Sequence, residues 1–129
     1  MIVVVGLAFE ARIAARSGLT VICSGDGRTL MPDLRRAIAG GCRGLVSFGV
    51  AGGLDPALRP GTCVVGSTIV TGAMRHDTDR HWSQKLLDAM PGAVHGALAG
   101  VDGPVCTPDG KRALNRDTGA LAVDTESHM

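Results

Sequence analysis

The segment Ser47-Phe48-Gly49-Val50-Ala51-Gly52-Gly53-Leu54 constrains this chain most. Leu45 to Phe48 is an apolar run of strand character. It breaks into a turn holding Gly49, Gly52 and Gly53. Glycine has no Cβ, so backbone at such a turn can approach a ligand closely. A second break, Asp55-Pro56 through Pro60-Gly61, leads into another apolar run from Cys63 to Val65. Strand, glycine turn and strand in this order suit a parallel α/β sheet, in which ligands bind at the strand carboxyl ends.

The rest of the chain keeps the alternation. Ile2 to Val5 is a β-branched run of buried parallel-strand type, ended by Gly6. Ala8 to Arg16 reads as a helix stopped by Gly18, and Leu19 to Cys23 as a strand. Pro32 to Ala39 reads as a helix with proline in its first turn and Gly40-Gly41 past its end. Cys63 to Val70 is a strand broken at Gly66, and Thr71 to Arg80 a polar loop. Trp82 to Met90 is a short helix, Val94 to Val101 a strand and Pro108 to Arg116 a helix. Leu121 to Val123 begins a last strand. The expectation is an α/β fold with a largely parallel sheet.

At 129 residues the chain is one domain, long enough to bury about two-thirds of its unfolded surface. It is 45% hydrophobic but 2% aromatic, so the core must rest on Val, Leu, Ile and Ala. Thirteen basic and 12 acidic residues leave a net charge of +1, and Arg35-Arg36 is a solvated helix face. Nucleic acid is therefore not an expected partner. Cys23, Cys42, Cys63 and Cys106 form no Cys-x-x-Cys pair and read as reduced, buried cysteines of a cytoplasmic protein. The apolar start, Met1 to Gly6, lacks a basic region and is too short to span a bilayer, so it reads as a strand.

Four places could carry chemistry. Ser24-Gly25-Asp26-Gly27 follows a strand and precedes a helix, so backbone N–H groups at Gly25 and Gly27 could form an anion nest. The other reading is an ordinary strand-to-helix turn. Glu10 stands near a strand end and could act as a general base or orient water. It could equally be an exposed first-turn glutamate favoured by the helix dipole. Asp124 and Glu126 would share a face if their strand continued, and could hold sugar hydroxyls. Otherwise they are solvated acids, with His128 exposed. Arg75 to His81 holds two His and two Asp but lacks metal-ligand spacing, so a surface loop is expected and no metal. Glu10, Gly25, Gly52 and Glu126 each follow a predicted strand and are expected at one end of the sheet.

Together these segments resemble the nucleoside phosphorylase and nucleosidase superfamily. The resemblance lies in Gly49-Val50-Ala51-Gly52-Gly53-Leu54, in Gly61-Thr62 and in Val123-Asp124-Thr125-Glu126. Gly6-Leu7-Ala8-Phe9-Glu10-Ala11-Arg12 and Thr118 to His128 look most like the hopanoid-associated phosphorylase subgroup. The resemblance implies a three-layer αβα phosphorylase-like fold. It also implies cleavage of a purine nucleoside's N-glycosidic bond by phosphate or water, with no cofactor. The subgroup is associated with adenine release from adenosylhopane in hopanoid synthesis.

Carried onto this chain, Glu10 falls near the family's N-terminal catalytic glutamate, and Glu126 matches the ribose-binding one. Val50, Ala51 and Gly52 match the sugar and nucleophile turn. Val105, in Asp102-Gly103-Pro104-Val105, matches a segment whose backbone contacts the purine. A homo-oligomer is implied as well. Thr125 departs from the usual Met, and Ser47 and Val50 from an Arg and a Ser that hold phosphate. The family's aspartate acid falls on a strand after Met129, so residues 1–129 are expected to lack the last strand and helix and to bind nucleoside with little cleavage. A non-catalytic nucleoside-binding or interaction remnant is the alternative.

Overall fold

Four consecutive β-branched residues, Ile2–Val5, form the first strand, β1, and all four are buried. A strand covered on both faces needs no polar alternation. The computed structural model describes residues 1–24 and 30–129. Contacts divide the chain into two compact units, Met1–Val50 with Met129, and Ala51–His128.

In the first unit β1 is the middle of three parallel strands, between β2 (Thr20–Cys23) and β3 (Leu45–Ser47). Successive side chains point to opposite faces. Val3 and Val5 meet Ala14 of α1 (Ala8–Ala14), while Val4 meets Leu30 and Leu34 of α2 (Leu30–Ala39). Helix, sheet and helix thus stack in three layers. A 3-10 turn, Ala15–Ser17, follows α1 and ends at Gly18, whose φ of 72° suits glycine.

The second unit holds a five-stranded sheet in the order β4-β8-β7-β5-β6. Its strands are β4 (Gly52–Gly53), β5 (Val64–Thr71), β6 (Met74–Asp77), β7 (Val94–Gly100) and β8 (Ala122–Asp124). β5, β7 and β8 run parallel, and the two edge strands are antiparallel. Between them lie α3 (Arg80–Ala89) and α4 (Pro108–Thr118). Leu54, Ala99, Ala120 and Val123 form the core, with Leu114 of α4 packed on it. The fold is α/β with mostly parallel strand pairing.

Three expectations need correction. Thr71 to Arg80 is not a loop throughout, because Met74–Asp77 pairs with β5 across the two-residue turn Gly72-Ala73. All four residues of β6 are exposed, so no buried face marks them as strand. β5 also runs through Gly66 without a break; the register against β7 shifts between Gly66 and Ile69 instead. Finally, Cys63 and Cys106 are exposed and Cys23 and Cys42 half-buried, although all four are free. Among the described residues no helix is long and apolar enough to cross a membrane.

Candidate functional site

Glu10 lies in the first turn of α1, yet it is 3% exposed. The exposed first-turn reading is therefore wrong. Its Oε2 accepts the N–H groups of Gly6 and Leu7 at 3.1 and 2.8 Å. Its Oε1 accepts the N–H of Val50 at 2.7 Å. Gly49 closes onto this carboxylate: a Cβ there would stand 2.7 Å from Oε1. The Val50 side chain, by contrast, is 72% exposed.

In the second unit the glycine turn and the acidic strand end meet. Gly52 pairs with Val123 and Gly53 with Ala122, while Leu54 and Asp55 both donate to the Leu121 carbonyl. Gly52 and Gly53 are thus a short strand rather than a free turn. A Cβ on Gly52 would lie 3.2 Å from Val123 Cγ1 and 3.8 Å from Lys111 Nζ. Close packing, not a left-handed backbone, is what glycine provides here. Lys111 is a neighbour that sequence reading missed. Leu114, three residues on, packs on the core, and that i, i+3 spacing puts Lys111 on the same helix face.

Beyond Val123 the chain turns. β8 stops at Asp124, whose carboxylate accepts the Ser127 N–H at 3.2 Å and the Ser127 hydroxyl. Asp124 and Glu126 therefore do not continue one strand face, because Asp124 folds the chain back on itself. Glu126 is half-buried, and its Oε1 accepts Thr125 Oγ1 at 2.7 Å. His128 is not exposed: its side chain is 9% accessible and its ring packs over Gly100. Its Nε2 stands 3.0 Å from Asp102 Oδ1, and its buried Nδ1 has no hydrogen-bond partner among the described residues. Val105 packs against the core of this unit.

Gly25 and Gly27 lie outside the described residues. Across Arg75 to His81, Asp77 accepts Thr68 Oγ1 at 2.9 Å and Asp79 caps α3 by accepting the Trp82 N–H at 2.9 Å. Among the described residues no three His, Cys, Asp or Glu side chains cluster as metal ligands.

A family model described as the Phosphorylase superfamily matches residues 6–129. The chain belongs to the phosphorylase superfamily. Among curated proteins none matches. Solved structures with a similar fold include the Helicobacter pylori 5′-methylthioadenosine/S-adenosyl homocysteine nucleosidase, with a TM-score of 0.82 at 17% identity. That match covers 98% of this chain and 74% of that one. The corresponding nucleosidase of Streptococcus pneumoniae, solved with a transition-state inhibitor, gives 0.84 at 13% identity, covering 98% and 75%. The S-adenosylhomocysteine nucleosidase of Streptococcus pyogenes gives 0.80 at 15%, covering 96% and 72%. At these identities the likeness is one of fold.

Proposed function

We propose that this phosphorylase-superfamily chain binds an adenine nucleoside and serves cleavage of its N-glycosidic bond. One observation carries the reading. Gly52 and Val123, far apart in sequence, are hydrogen-bonded neighbours, so the glycine turn lies beside the strand that leads to Glu126. In such cleavage the sugar develops oxocarbenium character and the base leaves with a proton. The site must hold the ribose and stabilise charge that appears only in the transition state.

Glu126 is assigned to the ribose hydroxyls, with Thr125 holding one of its oxygens. Backbone at Val50, Ala51 and Gly52 is assigned to the sugar and nucleophile, and backbone at Val105 to the purine. Gly25 and Gly27 are assigned to an anion, with phosphate or water as the attacking species. The substrate we favour is an adenosine with a large apolar 5′ substituent, as in adenosylhopane, which would place the protein in hopanoid synthesis. A homo-oligomer in the cytoplasm, without cofactor, completes the reading.

The test is calorimetric titration of the protein with adenosine and 5′-alkyl adenosines, together with chromatographic assay for adenine, with and without phosphate. Glu126→Gln should weaken binding about tenfold or more, as expected when a hydrogen bond to a charged group is lost. Ribose 1-phosphate as product would identify phosphate as the nucleophile, and free ribose would identify water. Binding without any adenine release would favour the nucleoside-binding remnant. No binding of any purine nucleoside, or binding indifferent to Glu126→Gln, would sink the proposal.

A further inference from the structure

Burying a carboxylate is costly unless hydrogen bonds replace the water it gives up. Glu10 meets that demand with main-chain donors from two segments: Gly6 and Leu7 on one side and Val50 on the other. Gly6 and Leu7 begin the loop that leaves β1, and Val50 belongs to the turn that leaves β3. These strands are adjacent, with Val4 opposite Ser47. The parallel ladder supplies one more bond beyond β3, from the Phe48 N–H to the Val4 carbonyl. By Val50 the chain has left the ladder, and the acceptor for its N–H is the Glu10 side chain. The carboxylate therefore bridges the carboxyl ends of two neighbouring strands.

Gly49 is part of the same device. A Cβ on it would lie 2.7 Å from Oε1, 2.9 Å from Cδ and 3.0 Å from Oε2. Its φ is not positive, so this glycine is required for closeness and not for backbone conformation. A glutamine at position 10 would fail for a different reason. Its NH2 group would face a backbone N–H on one side or the other, donor against donor.

We propose that Glu10 is a positioning residue. It fixes the Gly49–Val50 turn and acts on the nucleoside through that turn, rather than by taking a proton from the nucleophile. The turn's contact with the nucleoside rests on the function proposed above. A general base needs a lone pair within about 2.6–3.2 Å of the proton it removes, directly or through one water. Three backbone N–H groups already occupy the two Glu10 oxygens, and the acceptor site left on Oε1 lies in a place with almost no exposure. Hydrogen bonds to an ionised acceptor are roughly twice as strong as neutral ones, which makes this a stiff bracket.

The experiment compares the wild-type protein, Glu10→Gln, Gly49→Ala and the double variant. Amide hydrogen exchange is followed by NMR, and nucleoside kinetics are measured beside it. In the wild type the Val50 amide should be protected. Either single change should speed its exchange about tenfold or more, the loss of a hydrogen bond to a charged group, while the Ile2–Val5 amides stay protected. The double variant should be little worse than either single one, since both break one bracket. KM for the nucleoside should rise in both variants with a smaller loss in kcat, and the pH profile of kcat should keep its shape.

Unchanged Val50 exchange in Glu10→Gln would overturn the proposal. So would a loss of kcat with KM and Val50 protection intact, the signature of a general base. If Glu10→Gln does not fold, Gly49→Ala carries the same readouts from the other side of the bracket. The exchange measurement needs no substrate. A wild-type protein that binds no nucleoside would therefore defeat the functional reading, while the Val50 result still decides the bracket.

Discussion

Gly100 and His128 hold each other in place. A Cβ on Gly100 would overlap the His128 Cβ and stand 2.9 Å from its Cγ. Gly100 pairs with Asp124 on β8, and the Asp124–Ser127 turn brings His128 back over it. The ring then reaches Asp102 just beyond β7. A methyl group at position 100 has nowhere to go, and overpacking of this kind costs about 1–3 kcal/mol. Gly100→Ala should accordingly lower the urea midpoint, and His128→Gly added to it should restore much of the loss. Equal instability of the single and double variants would show that His128 is not what occupies the space.

At the scale of elements, α3 is fastened to β5 by a small polar cluster. Thr78 Oγ1 lies 2.7 Å from the Gly66 carbonyl, 3.1 Å from that of Ser67 and 3.1 Å from Ser83 Oγ. Ser83 is buried and reaches the Gly66 carbonyl at 3.3 Å. Thr78→Val keeps the shape but removes the hydroxyl, which should cost about 1 kcal/mol, the net worth of a hydrogen bond, because Ser83 Oγ and the Thr78 N–H still reach the Gly66 and Ser67 carbonyls. Asp79 begins the same helix as its N-cap. Asp79→Ala should cost about 1 kcal/mol, the usual worth of such a cap. Trp82 is the only tryptophan and donates to that cap, so its fluorescence can follow both unfolding curves. An unchanged midpoint in Thr78→Val would refute the fastening role.

At the scale of the whole molecule, the chain carries apolar side chains that its own packing leaves uncovered. Leu7, Phe9 and Ile13 are 52%, 41% and 51% exposed, and Phe9 and Ile13 lie one turn apart on α1. Contiguous exposed apolar surface marks association sites. Light scattering should report a mass above one protomer. Phe9→Asp combined with Ile13→Asp should reduce that mass while the circular dichroism spectrum stays that of the folded chain, since neither side chain is in the core. A monomer at high concentration, or a mass indifferent to the double change, would remove α1 as the contact.

The sequence by itself determined the kind of fold and the segments that matter. Ile2–Val5, β-branched throughout, reads as a buried parallel strand, and all four residues are buried. The strand–helix alternation fixed the α/β class, and Gly49–Leu54 with Val123–Glu126 pointed to the superfamily. These are local patterns, and periodicity within one element reveals which face it buries. Which backbone donor meets which acceptor is a different matter. That Gly52 would pair with Val123 and that Glu10 would accept the Val50 N–H both depend on segments distant in sequence. His128 looked like a solvated residue at the end of a polar run, and only the fold set Gly100 beneath it. A single strand's sequence carries its own period but not its neighbour's register, so those pairings were decided by tertiary structure alone.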